Sequence, residues 1–174
     1  MQNNHHTVAR RLKKLRKDKG WSLTACAEHT GVSKAMLGQI ERQESSPTLA
    51  TLWKLATGFN VSLSWLLNDE QQPMTFDFAH ERIQVERLLA FDPQTQQEVY
   101  KLCMAEGAQS HSDAHRRGTF EMLYVQSGVL DIVVGETQVT IKAGDAYRFD
   151  AAQPHSYINR YSGKTEFVAV INYR

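Results

Sequence analysis

The chain has 174 residues, enough for one domain of ordinary size or two small ones. A hydrophobic fraction of 41% supports a packed core and argues against a disordered chain. The net charge of +1 hides an asymmetry: residues 1–69 carry ten Lys/Arg against five Asp/Glu, residues 70–174 ten against fourteen. A basic first part beside an acidic second part points to a polyanionic partner for the first part alone.

The two cysteines, Cys26 and Cys103, have no CxxC spacing, so a disulfide framework is not expected and a reducing cytoplasm fits. Both sit in apolar patterns and read as core fillers. The opening MQNNHHTVARRLKKLRK lacks the apolar stretch of a signal peptide, and its histidines read as part of an unstructured leader. No window approaches the ~18 uninterrupted apolar residues of a membrane span. VARRLKKLRK is amphipathic and basic enough for a membrane surface, but it continues into a compact helical pattern.

Val8, Leu12 and Leu15 recur at helical spacing and predict a first helix that ends at Gly20. Ser22 caps a second helix to about His29, and Gly31 and Val32 make a turn. Ser33 caps a third, in which Met36, Leu37 and Ile40 face the core. Pro47 and Thr48 open a fourth helix that closes near Gly58, and a short fifth covers Ser62 to about Leu67. NDEQQP, from Asn68 to Pro73, reads as a linker. Beyond it the periodicity changes. IQVERLLAF, EVYKLCMA, FEMLYV, VLDIVV, QVTIKA, AYRFD and EFVAVINY are short, β-rich runs separated by turn residues such as Ser127-Gly128 and Ala143-Gly144-Asp145. Many short strands at regular spacing predict a β-sandwich or barrel.

Trp21 to Arg42 has the layout of a helix-turn-helix. Leu15-Arg16, Gly20, Ala27-Glu28, Gly31-Val32-Ser33, Ile40-Glu41, Pro47, Thr48, Leu52, Ala56 and Ser62 complete a pattern that resembles the XRE-type, lambda-repressor-like family. A recognition helix enters the major groove by its N-terminal end. Ser33, Lys34, Ala35, Gly38 and Gln39 are therefore the candidate base readers. Gln39 suits adenine, Lys34 guanine or a phosphate, and Ala35 a thymine methyl. Gly38 reads as exposed, either for close approach to DNA or as tolerated variation. Ser22, Arg42, Ser45, Ser46 and Thr48 are candidate phosphate contacts, with simple capping or solvation as the other reading. The resemblance implies an Arg16–Glu41 pair between the first and third helices. Where the family often carries Gln, this chain has Leu23.

The second part resembles the cupin family on HRRGTFEMLYVQSG, His115 to Gly128, and GDAYRFDAAQPHSYIN, Gly144 to Asn159. The resemblance implies a small jelly-roll barrel in which His115, Glu121 and His155 converge. Two imidazoles and a carboxylate suit Zn, Fe, Mn or Ni. The family's His-x-His is incomplete here, since Arg117 takes the second position and His111 lies four residues upstream of His115. Without a metal the three residues would form a polar network in a barrel that holds an organic ligand. Arg116, Arg117 or Arg148 would then clamp a carboxylate, and Tyr147 and Tyr157 would supply walls.

These readings give an α + β two-domain chain: a five-helix DNA-binding domain over 1–67, a linker over 68–78 and a cupin barrel over 79–174. The implied function is a cytoplasmic, homodimeric transcriptional regulator that binds double-stranded DNA under control of a small-molecule effector. The first part further resembles regulators of sulfur utilisation, which suggests a sulfur amino acid. The alternative is a metal-dependent cupin oxygenase or isomerase fused to a DNA-binding head. An autoregulating antitoxin fits poorly, because its tail would be short and disordered.

Overall fold

The structure, a computed structural model, describes residues 2–67 and 74–173. The chain divides into two compact units, 1–70 and 71–174.

Five helices build the first unit: α1 (Gln2–Asp18), α2 (Leu23–Thr30), α3 (Lys34–Glu41), α4 (Leu49–Phe59) and α5 (Leu63–Leu67). Leu12, Cys26, Leu37, Leu55 and Leu66 are fully buried between them. The expected caps are present. The Ser22 hydroxyl accepts from the Ala25 N–H, Ser33 from Met36 and Thr48 from Thr51. Each satisfies a donor that the first helical turn leaves open. Gly31 closes α2 in the left-handed region at φ 67°, where a side chain would be strained.

One expectation changes. Helix α1 begins at Gln2, so the backbone of His5 and His6 is helical rather than an unstructured leader. Helix α4 closes near Gly58 as expected, with Phe59 as its last residue and Asn60 as the left-handed cap. Gly58 is a packing residue. A Cβ there would lie 2.7 Å from the His29 carbonyl oxygen and 2.7 Å from Thr30 Cα.

Ten strands build the second unit: β1 (Met74–Phe78), β2 (Ile83–Asp92), β3 (Gln97–Met104), β4 (Gln109–Ser112), β5 (Thr119–Ser127), β6 (Val129–Val134), β7 (Thr137–Lys142), β8 (Ala146–Asp150), β9 (His155–Ile158) and β10 (Thr165–Tyr173). A six-stranded sheet runs β1-β2-β3-β10-β5-β8, and a four-stranded sheet runs β4-β9-β6-β7. All pairings between them are antiparallel. The β-barrel predicted from the sequence takes the form of these two sheets face to face. Phe167 of β10 meets Tyr157 of β9 edge-on at 5.4 Å between ring centroids.

Burial alternates along the central strands as a half-buried sheet requires. In β10 every second residue from Thr165 to Tyr173 is buried. Seven strands match the apolar runs of the sequence; β1, β4 and β9 do not. Strand β1 lies inside the expected linker 68–78 and pairs with β2 from Met74↔Arg87 to Phe78↔Ile83. Cys26 is buried, but Cys103 is only half-buried, because it shares the outward parity of Lys101 on β3.

Candidate functional site

The helix-turn-helix presents one continuous face. Ser33 caps α3, and Lys34, Ala35 and Gln39 are exposed behind it, while Leu37 and Ile40 anchor the opposite side. Gly38 is buried rather than exposed as expected. The Arg42 guanidinium covers it, with Nη1 3.0 Å from where a Cβ would be. That guanidinium donates from Nε to Glu44 Oε1 (2.8 Å) and from Nη2 to Glu44 Oε2 (2.7 Å). Hydrogen bonding to Arg42 holds the Glu44 carboxyl below its ordinary value.

The other candidate phosphate contacts lie around α3. Ser22 and Thr48 are exposed caps, Ser46 is exposed, and half-buried Ser45 donates to Met36 Sδ at 3.8 Å. The structure pairs Arg16 with Glu41 through Nε–Oε1 (2.6 Å) and Nη2–Oε2 (2.8 Å), and Arg16 Nη1 donates to the Trp21 carbonyl (3.0 Å). The pair is mostly buried and ties α1 to α3. Leu23 is half-buried at the start of α2. Trp21 stacks on His29 at 4.1 Å and on Phe59 at 5.0 Å, a cluster that sequence reading missed because His29 has no local partner pattern.

The second site lies between the sheets. The strand register puts Glu121 of β5 beside Phe149 of β8 and Ile171 of β10. From the facing sheet, β9 contributes His155 and Tyr157, and the loop before β5 contributes His115. His115, Glu121 and His155 are all buried, and their ligand atoms lie within 4.8 Å of one another. Both Nε2 atoms converge on Glu121 Oε1, at 3.0 Å from His115 and 3.5 Å from His155. The Tyr157 hydroxyl donates to Glu121 Oε2. Phe149 closes the side, 5.1 Å from the His155 ring.

The electrostatics favour a cation. Burial opposes a charged Glu121, but the hydrogen bonds and charges of the two histidines outweigh it and hold the carboxyl well below its usual range. Burial likewise opposes charge on His155, yet the Glu121 contact and the Gln153 carbonyl raise its pKa overall. Burial and the Glu121 charge push the Tyr157 phenol well above its usual value. His155 Nδ1 lies 2.9 Å from the Gln153 carbonyl, which only accepts, so Nδ1 carries the proton. Nε2 then directs either a second proton or a lone pair at the carboxylate. A lone pair facing a carboxylate is repulsive unless a cation lies between them. With Nε2 protonated the contact is an ion pair; with Nε2 unprotonated, the three buried donors could hold a metal ion, and the Gln153 carbonyl fixes the tautomer such a ligand needs.

The remaining candidates do not gather there. His111 is exposed on β4, beside Ser156 Oγ at 2.9 Å and Asp113 at 3.8 Å. Arg117 is exposed in the loop before β5. Tyr147 stacks on Phe149 at 6.0 Å and is half-buried. Arg148 is exposed, 5.2 Å over the Phe120 ring, at an open groove that Glu121, Met122, Val170 and Asn172 also line. Of the four candidate effector contacts, only Tyr157 touches the histidine–carboxylate cluster.

A second inward carboxylate escaped the sequence reading. Glu98 of β3 is fully buried and accepts from the Tyr100 and Tyr173 hydroxyls. Its register partner, Ile171, is also the partner of Glu121. Its signal was the inward parity it shares with Tyr100 and Leu102. Thr119, two residues before Glu121 and of the same parity, is also fully buried, and its hydroxyl has no partner among the described residues.

Comparison with known proteins agrees with both halves. A helix-turn-helix family model matches residues 12–66, and a cupin domain model matches residues 100–171. The chain is 42% identical to the HTH-type transcriptional regulator SutR of Escherichia coli, over 99% of this chain and 98% of SutR. The crystal structure of an HTH_3 family transcriptional regulator from Vibrio cholerae superposes with a TM-score of 0.88 at 34% identity, covering 98% of this chain and 97% of that one. The cupin domain of an XRE family regulator from Enterobacter cloacae matches with a TM-score of 0.52 at 28% identity, over 53% of this chain and 98% of that domain. Identity of this extent along the whole chain shows that it belongs to the family of HTH-type transcriptional regulators that join a helix-turn-helix domain to a cupin domain.

Proposed function

We propose that this regulator reads a specific duplex through α3 and that a small metabolite, bound between the β sheets, modulates that reading. The observation that carries the proposal is the pairing, in one chain, of an exposed polar face on α3 with a buried His115–Glu121–His155 cluster. Lys34, Ala35 and Gln39 meet base edges, and Ser22, Ser33, Arg42, Ser45, Ser46 and Thr48 meet the backbone around them.

His115, Glu121 and His155 would hold a divalent metal, of which Zn, Fe, Mn and Ni all suit two imidazoles and a carboxylate. A bound metal would supply Lewis acidity toward a donor atom of the effector. Tyr157 orients Glu121, and the Gln153 carbonyl orients His155. The inward Thr119 hydroxyl is a ready partner for a polar atom of the effector. A sulfur amino acid is the first candidate to test. Regulation requires only that effector affinity differ between DNA-competent and incompetent states. The protein acts as a cytoplasmic homodimer paired through its β domain. Among the described residues, no helix is long and apolar enough to cross a membrane.

The reading as a cupin oxygenase or isomerase relies on the same three ligands. Against it, the Tyr157 hydroxyl that donates to Glu121 keeps its proton, because burial and the Glu121 charge push its pKa up, so it is not available as a general base.

The direct test is Gln39→Ala in the full chain, on a duplex that the wild type selects from a randomised pool. Losing one bidentate adenine contact is expected to cost about 1–3 kcal/mol of discrimination against a scrambled duplex. Unchanged discrimination would remove α3 as the reader.

A further inference from the structure

The end of α3 holds a built arrangement that the reading residues alone do not explain. At about 100° per residue, Lys34, Gly38, Arg42, Ala35 and Gln39 fall in that angular order across about 140° of the helix. Arg42 is thus at the middle of the reading face, not at its edge. Helical side chains lean toward the N-terminus, so the Arg42 guanidinium lies back over Gly38 and toward the groove-entering end. A methyl group at 38 would stand 3.0 Å from Nη1, so the guanidinium would have to give by a few tenths of an ångström.

Glu44 fixes the guanidinium from behind. The backbone turns sharply at Gln43, which has φ 62°. The Gln43 N–H donates to the Ile40 carbonyl (3.0 Å), and the Glu44 N–H donates to the Gln39 carbonyl (2.8 Å). This closure leaves Glu44 two residues past Arg42, with its carboxylate on the guanidinium. It takes Nε and one Nη2 hydrogen of Arg42, leaving the Nη1–Nη2 edge unengaged by the carboxylate. That edge matches a paired acceptor, either two phosphate oxygens or guanine O6 and N7. Both side chains are more than half exposed, at 59% and 53%, so the pair adds little to stability.

We propose that Glu44 is a positioning residue: it holds Arg42 over Gly38 so that the free guanidinium edge meets a paired acceptor on the duplex. The proposal rests on α3 being the helix that meets DNA. It makes a prediction opposite in sign to simple electrostatics. Removing an acidic group near a polyanion should tighten binding, whereas removing a positioning group should weaken it.

The test uses the full chain and the duplex that the wild type selects from a randomised pool. Glu44→Ala is expected to weaken binding about 2- to 5-fold, the scale of an exposed ion pair, with an unchanged thermal midpoint. In an Arg42→Gln background the same change should have no further weakening effect. If the acceptor is a phosphate, Arg42→Gln lowers affinity for all duplexes alike and reduces the salt slope by about 0.9. If it is guanine, Arg42→Gln relaxes preference at one base position. Equal or tighter binding by Glu44→Ala, or weakening that persists without Arg42, overturns the proposal. A wild type that selects no duplex overturns the reading of α3 as well, so the two failures are distinguishable.

Discussion

Glu41 joins two helices through one carboxylate, and its effect should be on folding rather than on DNA reading. It takes both forks of Arg16, whose remaining contact is the Trp21 carbonyl. Glu41→Gln removes the charge and one of the three acceptors of a mostly buried guanidinium, and turns an amide NH2 toward one of its N–H groups. The expected cost is about 1–3 kcal/mol, seen as a lower urea midpoint. The preferred duplex should not change. An unaltered midpoint would show that the pair is not a structural tie. At the second site, His155→Ala removes one of three converging donors. After dialysis against zinc and then buffer, elemental analysis of the wild type should give stoichiometric metal, and the variant background levels. Retained metal in a folded variant would show that the three residues are not the ligand set.

Among the elements, the α2–α4 crossing gives the cleanest sign test. Alanine in place of glycine within a helix normally stabilises by about 1 kcal/mol. At Gly58 the new Cβ would meet the His29 carbonyl and Thr30 at 2.7–2.8 Å, contacts dominated by backbone. Gly58→Ala should therefore destabilise, by about 1–3 kcal/mol, and lower the melting temperature. A raised melting temperature would contradict the close crossing. The same position shows where sequence reading reached its limit. Helix existence, caps and buried faces were legible from periodicity and from Ser22, Ser33 and Thr48. The role of Gly58 was not, because a helix end and a tight crossing both call for glycine. The strands divide in the same way. Those with Val, Ile and Phe on the inward face were readable. Strand β4 turns Ser110 and Ser112 inward, and β9 turns His155 and Tyr157 inward, so neither has an apolar stripe. The three candidate ligands were legible through their resemblance to a family pattern. Glu98 was not, because one acid in a strand that also carries Gln97 and Lys101 shows no partner in sequence; Tyr173 comes from another strand 75 residues away. The exposure that the sequence predicts for Gly38 fails because its cover depends on the rotamer of Arg42.

For the whole molecule, the charge asymmetry and the division into two units have one consequence. The basic residues that would meet phosphates lie in the first unit, and the cluster that would receive an effector lies in the second. A single helix-turn-helix domain makes few contacts, so specific binding calls for two copies on one duplex. The most direct test is selection by the full-length protein from a randomised duplex pool at low and physiological salt. An inverted repeat should be enriched, with half-site centres about one helical turn apart. A pool that stays unenriched at both salt concentrations would contradict the central claim that α3 reads a specific duplex.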